Sequence, residues 1–125
     1  MGPRRDKETD NKRFNSKMKN KPIYVIFAEK KLESEFESLK NGKFQDTKLY
    51  NFIERAITDL KKDPSSGTKI PKRLWPKTYK QKYNINNLWK YDLPNAWRIV
   101  YTIKENEVMV VNVILEWFNH KDYEK

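Results

Sequence analysis

Three residues in the last third of the chain have side chains suited to chemistry at a phosphate group: Arg98, His120 and Tyr123. The Arg98 guanidinium can fork onto two phosphate oxygens, and it lies in a run of otherwise apolar residues. His120 is the single histidine, and an ordinary pKa of about 6.5 suits a group that takes and gives protons. Tyr123 could orient a hydroxyl, stack on a base or transfer a proton. Because the ordinary pKa of tyrosine is about 10, Tyr123 would act as a base only with a cation beside it.

Each of these residues also has a purely structural interpretation. Arg98 could be a rim arginine paired with Asp92 or Glu116, and His120 could be a surface histidine near a frayed terminus. Lys90 and Lys121 are further candidates for phosphate contacts, with simple solvation as their alternative.

Positive charge is concentrated before the last strands. The chain has a formal net charge of +10, and residues 61–90 hold nine Lys or Arg against one acid. Cations that bind phosphates are interleaved there with aromatic rings that could stack on unpaired bases. The rings of Trp75, Tyr79 and Tyr83 are four residues apart, which favours the buried stripe of a short helix instead. We therefore predict RNA contacts only for the cations, which are Lys69, Lys72, Arg73, Lys77, Lys80 and Lys82.

Several classes of site are excluded by composition. Without cysteine, the chain has no disulfide, cysteine-ligated zinc or thiol nucleophile, and three glycines form no phosphate-binding loop. A single histidine also argues against a catalytic metal, so we expect neither metal nor cofactor. Residues 1–20 contain no apolar signal region, and no later run approaches the roughly 20 residues of a membrane span. We expect a soluble, cytoplasmic protein with no membrane partner.

The chain divides into a tail and one domain. Residues 1–20 are polar and basic, which predicts a disordered arm that serves as a nucleic-acid tether or as a solubilising tail. The domain spans 21–125 and opens with 23–27, apolar on both faces as in a central strand. A first helix is predicted between 29 and 41. A second carries an apolar stripe from Leu49 to Leu60, behind a cap at Asp46/Thr47.

A long connection, 64–87, follows the second helix, and its glycine and prolines prevent any long regular element. A short helix at 76–83 is compatible with Pro76 at its first position. Strands are then predicted at 88–92, 97–103 and 108–117. The fold class is α+β, in the order β-α-α-β-β-β, with two helices packed on a mostly antiparallel four-stranded sheet. The register of the 88–103 hairpin stays open, so either Lys90 or Tyr91 shares a face with Arg98.

The C-terminal third resembles the RelE/ParE superfamily of toxins, and its tail is closest to the HigB-like branch. Three features in order carry the resemblance: the strand Trp97-Arg98-Ile99-Val100-Tyr101, a long hydrophobic strand, and the element His120-Lys121-Asp122-Tyr123. The resemblance extends over about residues 22–125 and implies the β-α-α-β-β-β order found from periodicity.

In its ribonuclease members the resemblance implies metal-independent cleavage of messenger RNA, commonly on the ribosome, and neutralisation by a cognate antitoxin. Arg98 would stabilise the phosphorane, His120 and Tyr123 would transfer protons, and Lys90 and Lys121 would position the RNA backbone. One departure is the strand before the hairpin, which offers a single lysine and the acid Asp92. The alternative is a non-enzymatic RNA- or ribosome-binding protein, or a ParE-like inhibitor of DNA gyrase, on the same scaffold.

Overall fold

A computed structural model of the chain describes residues 21–119. The predicted arm at 1–20 and the terminal residues 120–125 therefore lie outside the described residues. The helices and strands are, in chain order, β1 (Ile23–Phe27), α1 (Lys30–Leu39), α2 (Phe44–Lys62), β2 (Thr68–Lys69), α3 (Lys77–Tyr83), β3 (Trp89–Asp92), β4 (Trp97–Glu105) and β5 (Val110–Asn119). Three short 3₁₀ turns, at Pro64–Ser66, Lys72–Leu74 and Pro94–Ala96, complete the connections.

The strands form one mixed sheet in the order β1-β5-β4-β3-β2. β1 runs parallel to β5, and the other neighbouring pairs are antiparallel. Helices α1 and α2 cover one face, where fully buried Ile53, Ile99 and Ile114 lie at the centre of the main core. The other face is covered in part by α3, around a smaller cluster that contains Leu88, Val100 and Leu115.

The α+β class and the order of the long elements agree with the prediction, but the predicted counts of two helices and four strands are wrong within 21–119. Of the two additional elements, α3 is the short helix suggested at 76–83, and β2 also lies in the 64–87 connection. β2 is held by tertiary contacts, since the buried Tyr101 hydroxyl donates to the Pro64 carbonyl (2.7 Å) and accepts from the Gly67 amide (3.3 Å). A two-residue strand has no periodicity of its own, so the sequence pattern could not indicate it.

The prediction of a central position for residues 23–27 is also wrong, because β1 lies at the edge of the sheet. Val25 and Phe27 pack against the main core, while Tyr24 and Ile26 on the opposite side are about half exposed. Apolar residues on both faces of a strand therefore indicate two-sided burial only where a layer covers each face.

The start of α2 differs from the predicted cap at Asp46/Thr47. The helix begins at Phe44, and the Asp46 carboxylate accepts a hydrogen bond from the Lys43 backbone amide (3.1 Å), which places Asp46 in the first turn. Its buried stripe is the one that the spacing predicts: Leu49, Ile53, Ala56 and Leu60. The helix ends at Lys62, just before Pro64.

A tight turn decides the register of the β3–β4 hairpin. Asn95 and Ala96 both have positive φ (60° and 67°), as the central residues of a primed hairpin turn do. This turn places Asp92 opposite Arg98 and Lys90 opposite Val100. Since side chains alternate along a strand, Lys90 rather than Tyr91 shares the face of Arg98.

Candidate nucleic-acid interface

A cleft of about 500 Å³ lies between the sheet face that carries Arg98 and the connection that precedes β3. Three cations line this cationic cleft: Lys69, Lys90 and Arg98. Its remaining walls are mainly apolar and aromatic, and they include Ile70, Leu74, Tyr79, Leu88, Val100 and Phe118. Positive charge beside apolar surface suits a ligand that combines phosphates with flat bases.

Asp92 holds the side chain of Arg98 in place. The Arg98 Nε donates to the Asp92 Oδ1 (2.9 Å), and the Lys90 Nζ lies 3.8 Å from the Asp92 Oδ2. The Arg98 side chain is 22% exposed and the Asp92 side chain 62%, so the carboxylate lies at the rim. Of the two partners considered for Arg98, the structure selects Asp92. Among residues 21–119, Asp92 is the only ion-pair partner of Arg98.

Glu116, the other acid on this side of the sheet, accepts a hydrogen bond from the Tyr79 hydroxyl. A β-bulge opposite Val100 and Tyr101 makes this arrangement possible, because it lets Leu115 pack beneath α3 while its neighbour Glu116 also reaches that helix. Glu116 therefore contacts α3 rather than Arg98.

The end of α3 is attached to the start of α1 through Glu29. Its carboxylate accepts from the Tyr83 hydroxyl (2.8 Å) and lies 3.0 Å from the Lys82 Nζ. The hydrogen bonds from Lys82 and then Tyr83 lower the pKa of Glu29. Burial, followed by the bond to Glu29, raises the pKa of Tyr83. Three aromatic rings, Trp75, Tyr79 and Tyr83, are partly buried against the smaller core, as the structural interpretation predicts, but only Tyr79 and Tyr83 belong to α3, since Trp75 lies before the helix begins.

The predicted RNA-binding cations are not all in one place. Lys69, Lys90 and Arg98 line the cationic cleft, and exposed Lys72 and Arg73 lie in the 3₁₀ turn that forms part of its wall.

The three lysines of α3 are arranged differently. Lys77 is exposed, the Lys80 ammonium lies 5.9 Å from the centre of the Trp75 ring, and Lys82 pairs with Glu29 away from the cleft. RNA contact by each of these cations stays a prediction.

The proposed proton-transfer residues His120 and Tyr123, together with Lys121, lie outside the described residues. Within 21–119, each tyrosine whose pKa departs from its ordinary value has that pKa raised: Tyr50, Tyr83, Tyr91 and Tyr101. Tyr91 faces the helices, where burial and a hydrogen bond to Asp59 raise its pKa to about 12. None of these four tyrosines is suited to act as a base near neutral pH.

Sequence reasoning missed the apolar part of the cleft, which includes Leu74 and Phe118. Phe118 lies on β5 directly opposite Arg98. Because Phe118 and Glu116 are two residues apart, the sequence could place them on the same face of a strand. Which residue of β4 lies opposite each of them depends on the bulge. Among the described residues, no group of three acids or histidines could hold a metal ion. No helix within 21–119 is long and apolar enough to cross a membrane.

The helix-covered mixed sheet with a cationic cleft on its opposite face defines a small α+β domain of the RelE/ParE toxin type. The chain belongs to the family described as ParE toxin of type II toxin-antitoxin system, parDE, whose model matches residues 27–115. Membership implies a cognate antitoxin as partner. Neither the curated proteins nor the solved structures include a significant match to this chain.

Proposed function

We propose that this toxin is an endoribonuclease that binds messenger RNA in the cationic cleft, in association with the ribosome, and cleaves it without a metal. The observation that carries the proposal is the convergence of Lys90 and Arg98 on one sheet face, where they line the same cleft. Two cations beside apolar walls are suited to hold a phosphate and the base next to it.

Arg98 is the residue expected to stabilise the transition state. Attack of a ribose 2′-OH on the adjacent phosphorus adds negative charge to the phosphate oxygens, and a preorganised cation lowers the energy of that state. Because Asp92 engages the Nε of Arg98, the terminal nitrogens remain to fork onto phosphate oxygens. Asp92 thus acts as an orienting group at the rim.

Proton transfer is assigned to His120 and Tyr123, with Lys121 as a further backbone contact. A base must take the 2′-OH proton, and an acid must protonate the 5′-oxygen that leaves. The tyrosines with raised pKa values in the described part of the chain are unsuited to this, which supports the assignment to the C-terminal residues.

The test is to incubate the purified protein with translating ribosomes, and separately with free messenger RNA in EDTA, and to map the message ends. We expect cleavage by the wild type and a loss of about 10²–10³-fold in rate for Arg98→Ala, the cost typical of removing one such stabilising donor. Arg55→Ala is the matched control, since Arg55 is an exposed arginine on α2, on the opposite side of the sheet. Intact messages with the wild type, or equal cutting by Arg98→Ala, would overturn the proposal.

A second candidate is a non-enzymatic toxin, either a ParE-like inhibitor of DNA gyrase or an RNA- or ribosome-binding protein. The family match favours it, and so does Asp92, which offsets part of the positive charge of Lys90 and Arg98. Under this alternative the protein blocks DNA supercoiling by gyrase, or binds RNA with strong salt dependence, and leaves RNA intact. A supercoiling assay run beside the cleavage assay separates the two functions.

A further inference from the structure

A second groove lies on the other side of β2 from the cationic cleft. Its volume is about 810 Å³, and its lining combines two lysines and three asparagines with the ring of Trp89: Lys69, Lys104, Asn84, Asn86, Asn87 and Trp89. We call it the asparagine groove. The site predictions from sequence include Lys69 but none of the other five residues.

The asparagine groove carries positive charge. Lys69 and Lys104 are both exposed at its rim. Glu105 is the one acid that lines the groove, and its carboxylate is held by the Lys21 ammonium at 2.8 Å. Since Lys21 compensates Glu105, the two rim lysines are left to attract an anion.

The asparagine side chains divide into one structural residue and two that are suited to recognition. Asn87 is occupied by the fold, because its Oδ1 accepts from the Ile103 amide (2.8 Å) and its Nδ2 donates to the Ile103 carbonyl (2.8 Å). Asn84 and Asn86 are exposed. The Asn84 amide has no hydrogen-bond partner among residues 21–119, while Asn86 uses only its Oδ1, which accepts from Asn87. Free amide groups can both donate to and accept from the edge of a base.

The groove and the cleft are neighbours on either side of β2. Lys69 lines both of them, which makes the two-residue strand a ridge between them. Gly67 lets this ridge lie close to β3, because a side chain there would collide with the Lys90 carbonyl oxygen and the Tyr101 hydroxyl. The position of the ridge is therefore fixed by the core. One extended RNA strand could contact Arg98, Lys69 and Lys104 in turn.

We propose that the asparagine groove is a second binding site for single-stranded RNA, in which Lys104 contacts a phosphate and Asn84 and Asn86 contact base edges. This inference rests on the proposed function, in which RNA occupies the cationic cleft. It extends the RNA-binding surface across β2 to residues that do not contribute to the reaction.

The experiment compares two 2′-O-methyl oligouridylates, which lack the attacking hydroxyl and so report binding alone. One has about four nucleotides, enough for the cleft, and the other about twelve, enough to reach the groove. We expect Asn86→Ala combined with Lys104→Gln to weaken binding of the longer oligonucleotide by about tenfold, with the shorter one within about twofold of the wild type. The slope of log affinity against log salt should fall by about 0.7 for the longer oligonucleotide, the value for one phosphate contact on a single strand.

Two controls make the outcomes distinct. Lys30→Gln removes the same charge from an exposed residue that lines neither surface, and it should leave both affinities unchanged. Arg98→Ala should weaken the binding of both oligonucleotides. If it does so while the double variant binds the longer one normally, the groove proposal is overturned and the cleft proposal stands.

Two other results would also be decisive. If Arg98→Ala leaves both affinities unchanged, the RNA-binding function itself fails. If the double variant loses affinity for a polyglutamate peptide but not for the longer oligonucleotide, the groove serves an acidic protein segment, and the RNA inference is overturned.

Discussion

The two faces of the sheet use alternate residues of the same strands for different purposes. On β3 and β4, the residues that face α1 and α2 are Trp89, Tyr91, Ile99 and Tyr101, whereas those that face the cleft are Lys90, Asp92, Arg98 and Val100. One face supplies burial and the other supplies charge. The period of two along a strand allows both within nine consecutive residues of β4.

On the helix face, buried tyrosine hydroxyls have hydrogen-bond partners. Tyr101 is fully buried, and its hydroxyl donates to the Pro64 carbonyl. The Tyr91 hydroxyl donates to Asp59 on α2. Burial is the main cause that raises the pKa values of both tyrosines, so this face holds its hydroxyls in the neutral form.

The cleft face is covered in part by the short α3, which is held by exposed side-chain contacts such as those of Lys82 and Tyr83 with Glu29. Exposed ion pairs of this kind contribute little to stability, because water screens the charges. Stability therefore resides mainly in the helix face, while the cleft face is available for binding. Substitutions on the two faces should separate stability from RNA affinity.

The largest effect on stability is expected from Ile53→Ala on α2. Ile53 is fully buried, so the truncation should lower the free energy of unfolding by about 2–5 kcal/mol. Leu74→Ala is the matched truncation at the cleft, where the side chain is 57% exposed, and its effect should stay within about 0.5 kcal/mol. Urea denaturation measures both. Similar losses for the two variants would break the comparison.

Gly67→Ala should affect both faces, because the added methyl group meets the Lys90 carbonyl on β3 and the Tyr101 hydroxyl from the core. We expect a loss of about 1–3 kcal/mol in the free energy of unfolding, with weaker RNA binding because β2 shifts. Ser66→Ala, at the exposed neighbouring residue, is the control for both measurements. Unchanged stability in Gly67→Ala would show that β2 adjusts independently of the core.

The helix face should also show a characteristic dependence on alkaline pH. The pKa of Tyr91 is raised from 10.0 to about 12, so the folded state retains a proton that the unfolded chain releases. Its contribution to stability is complete below pH 10 and is lost as the pH rises toward 12. Urea denaturation across this range should therefore show a smaller decline for Tyr91→Phe than for the wild type. Parallel declines would contradict the assignment.

The smallest effect on stability is expected at the cleft rim, from Asp92→Asn. The Asp92 carboxylate is 62% exposed, so losing its ion pair with Arg98 should cost less than about 1 kcal/mol. RNA affinity should rise by several-fold, because the negative charge beside Lys90 and Arg98 is removed. Glu107→Gln makes the same charge change at an exposed turn residue. If Glu107→Gln raises RNA affinity as much as Asp92→Asn does, the change in net charge alone explains the effect.

The long elements could be predicted because their periodicity is local. The stripe from Leu49 to Leu60 indicates α2, and the alternation after residue 88 indicates the meander. The toxin family was likewise predicted from the ordered C-terminal features, and the family match confirms it. The short helix suggested at 76–83 is present as α3, although it was not counted among the two main helices. β2 escaped prediction because it is short and depends on contacts with distant residues, such as that between Tyr101 and Pro64.

The candidate site was predicted only in part. Lys69, Lys90 and Arg98 were chosen by residue type and resemblance, and they line one cleft. The pairing of Arg98 with Asp92 was one of two alternatives, and the apolar wall with Phe118 was not foreseen. These relations depend on strand register, which the turn at Asn95 and Ala96 and the bulge on β5 determine together.

The sequence by itself determined which segments are amphipathic, which residues carry charge, and the family to which the chain belongs, because these properties reside in residue types and their spacing. Only the tertiary structure decided that β1 is an edge strand, that Lys90 shares the face of Arg98, and that Asp92 rather than Glu116 meets the guanidinium. The physical reason is that a shift of one residue in register moves every side chain of a strand to the opposite face. That register is set by contacts between residues far apart in the chain.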